Sequence, residues 1–132
     1  MTDPLTGKEL VSKSYEYVEK LAKECAKALI EEFNNTHRKF QKDTLPKEVA
    51  LATVQWFERR DKNIRLVFDS ANVPGQQQNT AHLRLKGNTK DADFTITATV
   101  GSFVAVSQDK PNSFVKTLVF SVDKNNFARR KV

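Results

Sequence analysis

Residues 93–107 read DFTITATVGSFVAVS, and this stretch decides the fold. Phe94, Ile96, Ala98 and Val100 alternate with Thr95, Thr97 and Thr99. That period of two gives a strand one apolar face and one hydroxylated face. Threonine and β-branched residues suit a pleated, half-buried surface. Gly101 interrupts the alternation, and Phe103, Val104, Ala105 and Val106 beyond it are apolar on both faces. A bulge or bend is expected at Gly101, with the second half covered on both sides. The stretch is therefore the central strand of an antiparallel sheet.

Its neighbours follow from the same period. Residues 82–86 form a short strand with Leu83 and Leu85 inward and His82, Arg84 and Lys86 outward. Gly87-Asn88-Thr89-Lys90-Asp91 turns the chain into the central strand, and residues 108–112 turn it out again. Ser113 to Asp123 is the last strand, with Phe114, Leu118, Phe120 and Val122 on one face. Lys116 interrupts that face, as an inward charge does on an edge strand. Residues 70–80, with Pro74-Gly75, read as a loop.

The segment from Glu48 to Arg60 admits two readings. As a helix it opens at Pro46 and presents Val49, Ala52, Thr53 and Trp56; as a strand it alternates Val54 and Trp56 against Thr53, Gln55 and Phe57. Ile64, Leu66 and Phe68 alternate beyond the polar Arg59-Arg60-Asp61-Lys62-Asn63. Two alternating runs around a short polar loop favour a hairpin, and so a strand from about Val49.

Ahead of the sheet lies one long helix. Thr6 and Glu9 fit a capping box, and Val11, Tyr15, Val18, Leu21, Ala22, Cys25, Leu29 and Phe33 fall on one stripe. About 26 helical residues span roughly 39 Å, which long strands beneath can match. Asn34-Asn35-Thr36 ends the helix. The expected architecture is α+β: a long N-terminal helix packed on one face of a curved five-stranded antiparallel meander. It forms a single domain over residues 1–132, with 1–7 and 127–132 as flexible ends.

Composition narrows the function. A single cysteine, Cys25, rules out an internal disulfide and suits a reducing, cytoplasmic setting. No signal-peptide pattern opens the chain, and no apolar run approaches the roughly 20 residues that span a bilayer, so no membrane partner is expected. Residues 1–44 carry 8 basic and 8 acidic side chains, whereas residues 45–132 carry 14 and 8. The whole net charge of +6 therefore lies beyond the first helix. Such a field favours an acidic partner, nucleic acid or protein.

Sites of chemistry are few. Only Cys25, His37 and His82 offer thiol or imidazole ligands, with no metal-ligand spacing, and Cys25 sits mid-stripe as a core residue. The glycines form no phosphate loop. Asp91 and Asp93 flank the central strand and Asp69 ends another; in turns such residues serve the backbone more often than acid–base chemistry. Tyr15, Trp56 and Phe94 could wall a pocket between sheet and helix. No cofactor is expected. The basic set is the stronger candidate: Arg59, Arg60 and Lys62 at one turn, Arg65, Arg84 and Lys86 on polar strand faces, and Arg129, Arg130 and Lys131 in the tail. These contact phosphates without reading sequence, and Phe57 could add a stacking surface if exposed.

A long helix on a curved antiparallel sheet resembles the cystatin-like and NTF2-like layouts, and no family motif accompanies that resemblance. Three functions are expected in order: a non-enzymatic module binding an acidic macromolecule; a pocket protein or enzyme of NTF2-like layout; and a subunit that homodimerises through its threonine face.

Overall fold

The computed structural model describes residues 7–36, 38, 40, 44–72, 80–90, 92–106, 111–124 and 127–129. Expectations placed on Thr6, His37, Pro74-Gly75, Asp91, Arg130 and Lys131 lie outside these residues, as do those on the side chains of Val11, Arg129 and residues 103–106.

Helix α1 spans Gly7–Asn35. Its stripe is buried as its spacing requires, with Val18, Leu21, Ala22, Cys25, Leu29 and Phe33 all in the core. The Thr36 hydroxyl donates to the Glu32 carbonyl at 2.8 Å and helps close the last turn. Arg38 then lies over the rings of Phe33 and Phe40, 5.6 and 5.0 Å from their centroids, and closes the helix end against the next element.

The next element corrects the sequence reading. Leu45–Arg60 is a helix, α2, and not a strand. Pro46 lies in its first turn, where a missing N–H costs nothing. Leu45, Val49, Thr53 and Phe57 recur every fourth residue and are all buried. The one polar member of that stripe, Thr53, donates its hydroxyl to the Val49 carbonyl at 2.8 Å, so its burial leaves nothing unsatisfied. Arg59 and Arg60 occupy the last turn, where cations complement the helix dipole.

Four antiparallel strands follow as a meander: β1 (Arg65–Asn72), β2 (Thr80–Asn88), β3 (Ala92–Val106) and β4 (Pro111–Val122), in the order β1-β2-β3-β4. A two-residue strand, β5 (Ala128–Arg129), pairs with the start of β3. Among the described residues the antiparallel meander stands as expected, with four long strands in place of five. Strand β3 is interior, pairing β2 on one side and β4 on the other.

Register defines two faces. On one, Leu66 meets Gly87 and Phe94, Leu85 meets Ile96 and Val122, and Leu83 meets Ala98 and Phe120. Both helices cover this face, α1 over β4 and α2 over β1. Gly87 belongs to it because a Cβ there would lie 2.5 Å from Leu66 Cδ2 and 2.6 Å from Phe94 Cε2.

The register shift expected at Gly101 is present, and its extra residue is Lys116 on β4. Gly101 pairs with Thr117, and Ser102 with Val115. Lys116 is therefore an exposed bulge residue, not an inward charge, and beyond it the alternation of β4 changes phase. Val115 is buried in consequence, and half-buried Phe114 falls on the opposite face from Leu118. The tail also departs from expectation: Phe127 is buried, stacks on Phe94 at 5.3 Å and meets Tyr15 edge-on at 5.6 Å.

Candidate functional site

The face of the sheet away from the helices is open, and its side chains are the alternate residues of the same strands. Rows run across it by register. One row is Val67, Lys86 and Thr95; the next is Ser70, Arg84, Thr97 and Ser121; the next is Asn72, His82, Thr99 and Val119. Apart from Val67 and Val119, these side chains are charged, hydroxylic, amide or imidazole. His82 Nδ1 and Thr99 Oγ1 lie 3.4 Å apart, and the Thr97 hydroxyl donates to the Ser121 carbonyl at 3.4 Å.

Three of the expected basic residues converge here. Arg84 and Lys86 are two residues apart on β2, so their Cα atoms are about 7 Å apart along the strand. Arg65 pairs with Asn88, one step beyond Lys86 on the same face. Lys86 makes a 3.7 Å ion pair with Asp69, the extra residue in the β1 bulge. Among the described residues, Arg65 and Arg84 have no acidic partner within ion-pair distance.

The row ends at a polar hollow of about 290 Å³ lined by Lys62, Asn63, Arg65, Asn88 and Lys90. Two turns meet there. Asp61 holds the first: its carboxylate accepts the Asn63 N–H at 2.9 Å and the Tyr17 hydroxyl at 2.8 Å. That tyrosine's pKa lies above its ordinary value, chiefly through the bond to Asp61 and secondarily through burial. Thr89 holds the second turn, its N–H donating to the Ala92 carbonyl at 2.8 Å and its hydroxyl accepting the Ala92 N–H at 3.1 Å. Lys90, Asn63 and Asn88 line this candidate site and are not among the residues that the sequence singles out. Strand alternation has no hold on turns, and the hollow exists only because α2 brings Lys62 to the end of the sheet.

The remaining basic residues sit elsewhere. Arg59 and Arg60 end α2 instead of crowding a hairpin, and Arg60 Nη2 binds Glu24 Oε2 of α1 at 3.2 Å. Arg129 belongs to β5. Residues 61–132 carry 11 basic and 6 acidic side chains, so most of the net charge still belongs to the sheet and its turns once α2 is set apart.

Other candidates resolve into structure. Phe57 is fully buried and offers no stacking surface; half-buried Phe114 is on the open face, at the far end from Lys86. Phe94 is core, and half-buried Trp56 packs edge-on against Phe57 at 5.3 Å. Asp69 and Asp93 are exposed on the open side. Cys25 is buried beneath α1, where desolvation pushes its thiol pKa far up, and His82 projects from the opposite face of the sheet. Among the described residues no group of three or more His, Cys, Asp or Glu side chains is placed to hold a metal, and no helix is long and apolar enough to cross a membrane. Comparison with family models, with curated proteins and with solved structures finds no match for this chain.

Proposed function

We propose that this chain is a non-enzymatic binding module whose open sheet face holds the sugar–phosphate backbone of a nucleic acid. The observation that carries the reading is the line Arg84–Lys86–Arg65, which ends in the Lys62–Lys90 hollow on the uncovered side of the sheet. Cations spaced along a strand match the repeat of charge along a phosphodiester chain, and neutralising phosphates releases counterions. Thr95, Thr97 and Thr99 add hydroxyls beside that line, suited to phosphate oxygens. With Phe57 buried and Phe114 remote, contacts near the basic line fall on the backbone and carry no base readout. The module is sequence-tolerant on this reading.

The test is binding of labelled single- and double-stranded oligonucleotides across a salt series. Affinity should fall steeply with salt, and Arg84→Ala, Lys86→Ala and Arg65→Ala should each flatten the log–log slope by about one. Lys23→Ala, on the far side of α1, should leave the slope alone. Absence of binding at low salt would sink the nucleic-acid reading and direct the same face to an acidic protein surface.

A further inference from the structure

Among the described residues strand β1 is an edge of the sheet and pairs only with β2, so one row of its backbone N–H and C=O groups faces outward. Native edges are usually blunted by charge or covered. This one is bordered by apolar surface. A groove of about 390 Å³ runs between α2 and β1, lined by Lys47, Ala50, Leu51, Val54 and residues 66–68. Of the five exposed large hydrophobic side chains among the described residues, Leu51 at 57% exposure and Phe68 at 40% flank that groove on the helix side, and Val67 at 60% adjoins it from the open face.

The sequence of the edge points to its occupant. Residues 65–69 read RLVFD. Laid antiparallel on itself about Val67, this segment sets Val67 opposite Val67, Leu66 opposite Phe68, and Arg65 opposite Asp69. In such a pair opposed residues share a face. Arg65, Val67 and Asp69 therefore meet on the open face, where Asp69 already reaches Lys86, while Leu66 and Phe68 meet on the helix side beside Leu51. Both charge and apolarity are self-complementary about one point, which is the requirement of an isologous two-fold contact. The bulge at Asp69 marks the end of regular pairing and limits the contact to this short segment.

We infer that two copies of the chain associate through antiparallel addition of β1 to β1 centred on Val67, joining their meanders into one continuous sheet. The contact is small, so the association is concentration-dependent.

Mass in solution tests this, followed by analytical ultracentrifugation at about 0.15 M salt from about 1 to 200 μM. The wild-type chain should move from 15.0 kDa towards twice that mass. Val67→Lys places like charges on the two-fold and should weaken association at least about tenfold. Arg65→Asp and Asp69→Arg should each do the same, and the double exchange should restore the dimer. Val67→Cys should cross-link between chains under mild oxidation, whereas Val119→Cys, equally exposed on β4, should not. A wild-type chain of constant single mass overturns the inference and leaves the edge to an extended segment of another protein. So does a dimer that survives Val67→Lys, or a double exchange that fails to recover it. Unchanged far-ultraviolet circular dichroism and melting temperature confirm that each variant is folded.

Discussion

The two faces of the sheet are made from the same strands, one residue out of step, and obey opposite rules. Leu83, Leu85, Ile96 and Ala98 are sealed beneath the helices, while Arg84, Lys86, Thr97 and Thr99 stand open. Stability resides on the first face and the proposed recognition on the second, and a single step along the chain moves from one to the other. The division means that the open face can change its chemistry at little cost to the fold, whereas the covered face has almost no such freedom.

The sharpest test of that contrast uses two neighbours. Ile96→Ala should lower unfolding free energy by about 3 kcal/mol in chemical denaturation, and Thr97→Ala should change it by less than about 0.5 kcal/mol. Equal losses would break the distinction between the faces. Phe127→Ala should cost a similar amount, about 3 kcal/mol, because the ring closes the core against Phe94 and Tyr15 from a segment expected to fray. Gly87→Ala extends the comparison to packing. It adds one methyl to the covered face between Leu66 and Phe94 and should destabilise by about 2 kcal/mol, although alanine is no worse than glycine in a strand.

The smallest expected effect joins the two sides of the molecule. Tyr17 of α1 binds Asp61 beside the polar hollow. Because folding raises this tyrosine's pKa, its contribution is complete below the unfolded value near 10 and disappears as pH rises through the folded value. Tyr17→Phe should therefore cost about 0.5 kcal/mol at neutral pH, as befits an exposed hydrogen bond. That cost should vanish in strongly alkaline solution. A pH-independent cost in paired denaturation curves would assign the effect to packing instead.

Much of this was legible in the sequence, for reasons that differ by element. Strand β3 announces itself because apolar residues and threonines alternate through it from Phe94 to Val100. Helix α1 does so because its stripe is long. Helix α2 escapes because Val49, Thr53, Val54, Trp56 and Phe57 are good strand formers that satisfy both periods over a short window. Tertiary burial of Leu45, Val49, Thr53 and Phe57 decides for the helix. Phe114 departs from the face that alternation predicts because one unpaired residue, Lys116, changes the phase of the strand, and nothing local signals that a lysine is the extra residue. In the site, the strand-borne Arg65, Arg84 and Lys86 follow from alternation. Lys90 and Asn63 belong to turns, whose meeting is fixed only by how α2 enters the sheet.

The placement of the two register shifts has a kinetic consequence. Both extra residues, Asp69 and Lys116, belong to the outer strands, while β2 and β3 run through nine consecutive pairs from Asn88–Asp93 to Thr80–Gly101 without a break. Openings should begin at the irregular edges and stop at that unbroken ladder. In hydrogen–deuterium exchange, the amides that bridge β2 and β3 should be the last to exchange, on the timescale of global unfolding. Those of β1 beyond Asp69 should exchange first among the strands, through local fluctuations that leave the middle of the sheet intact.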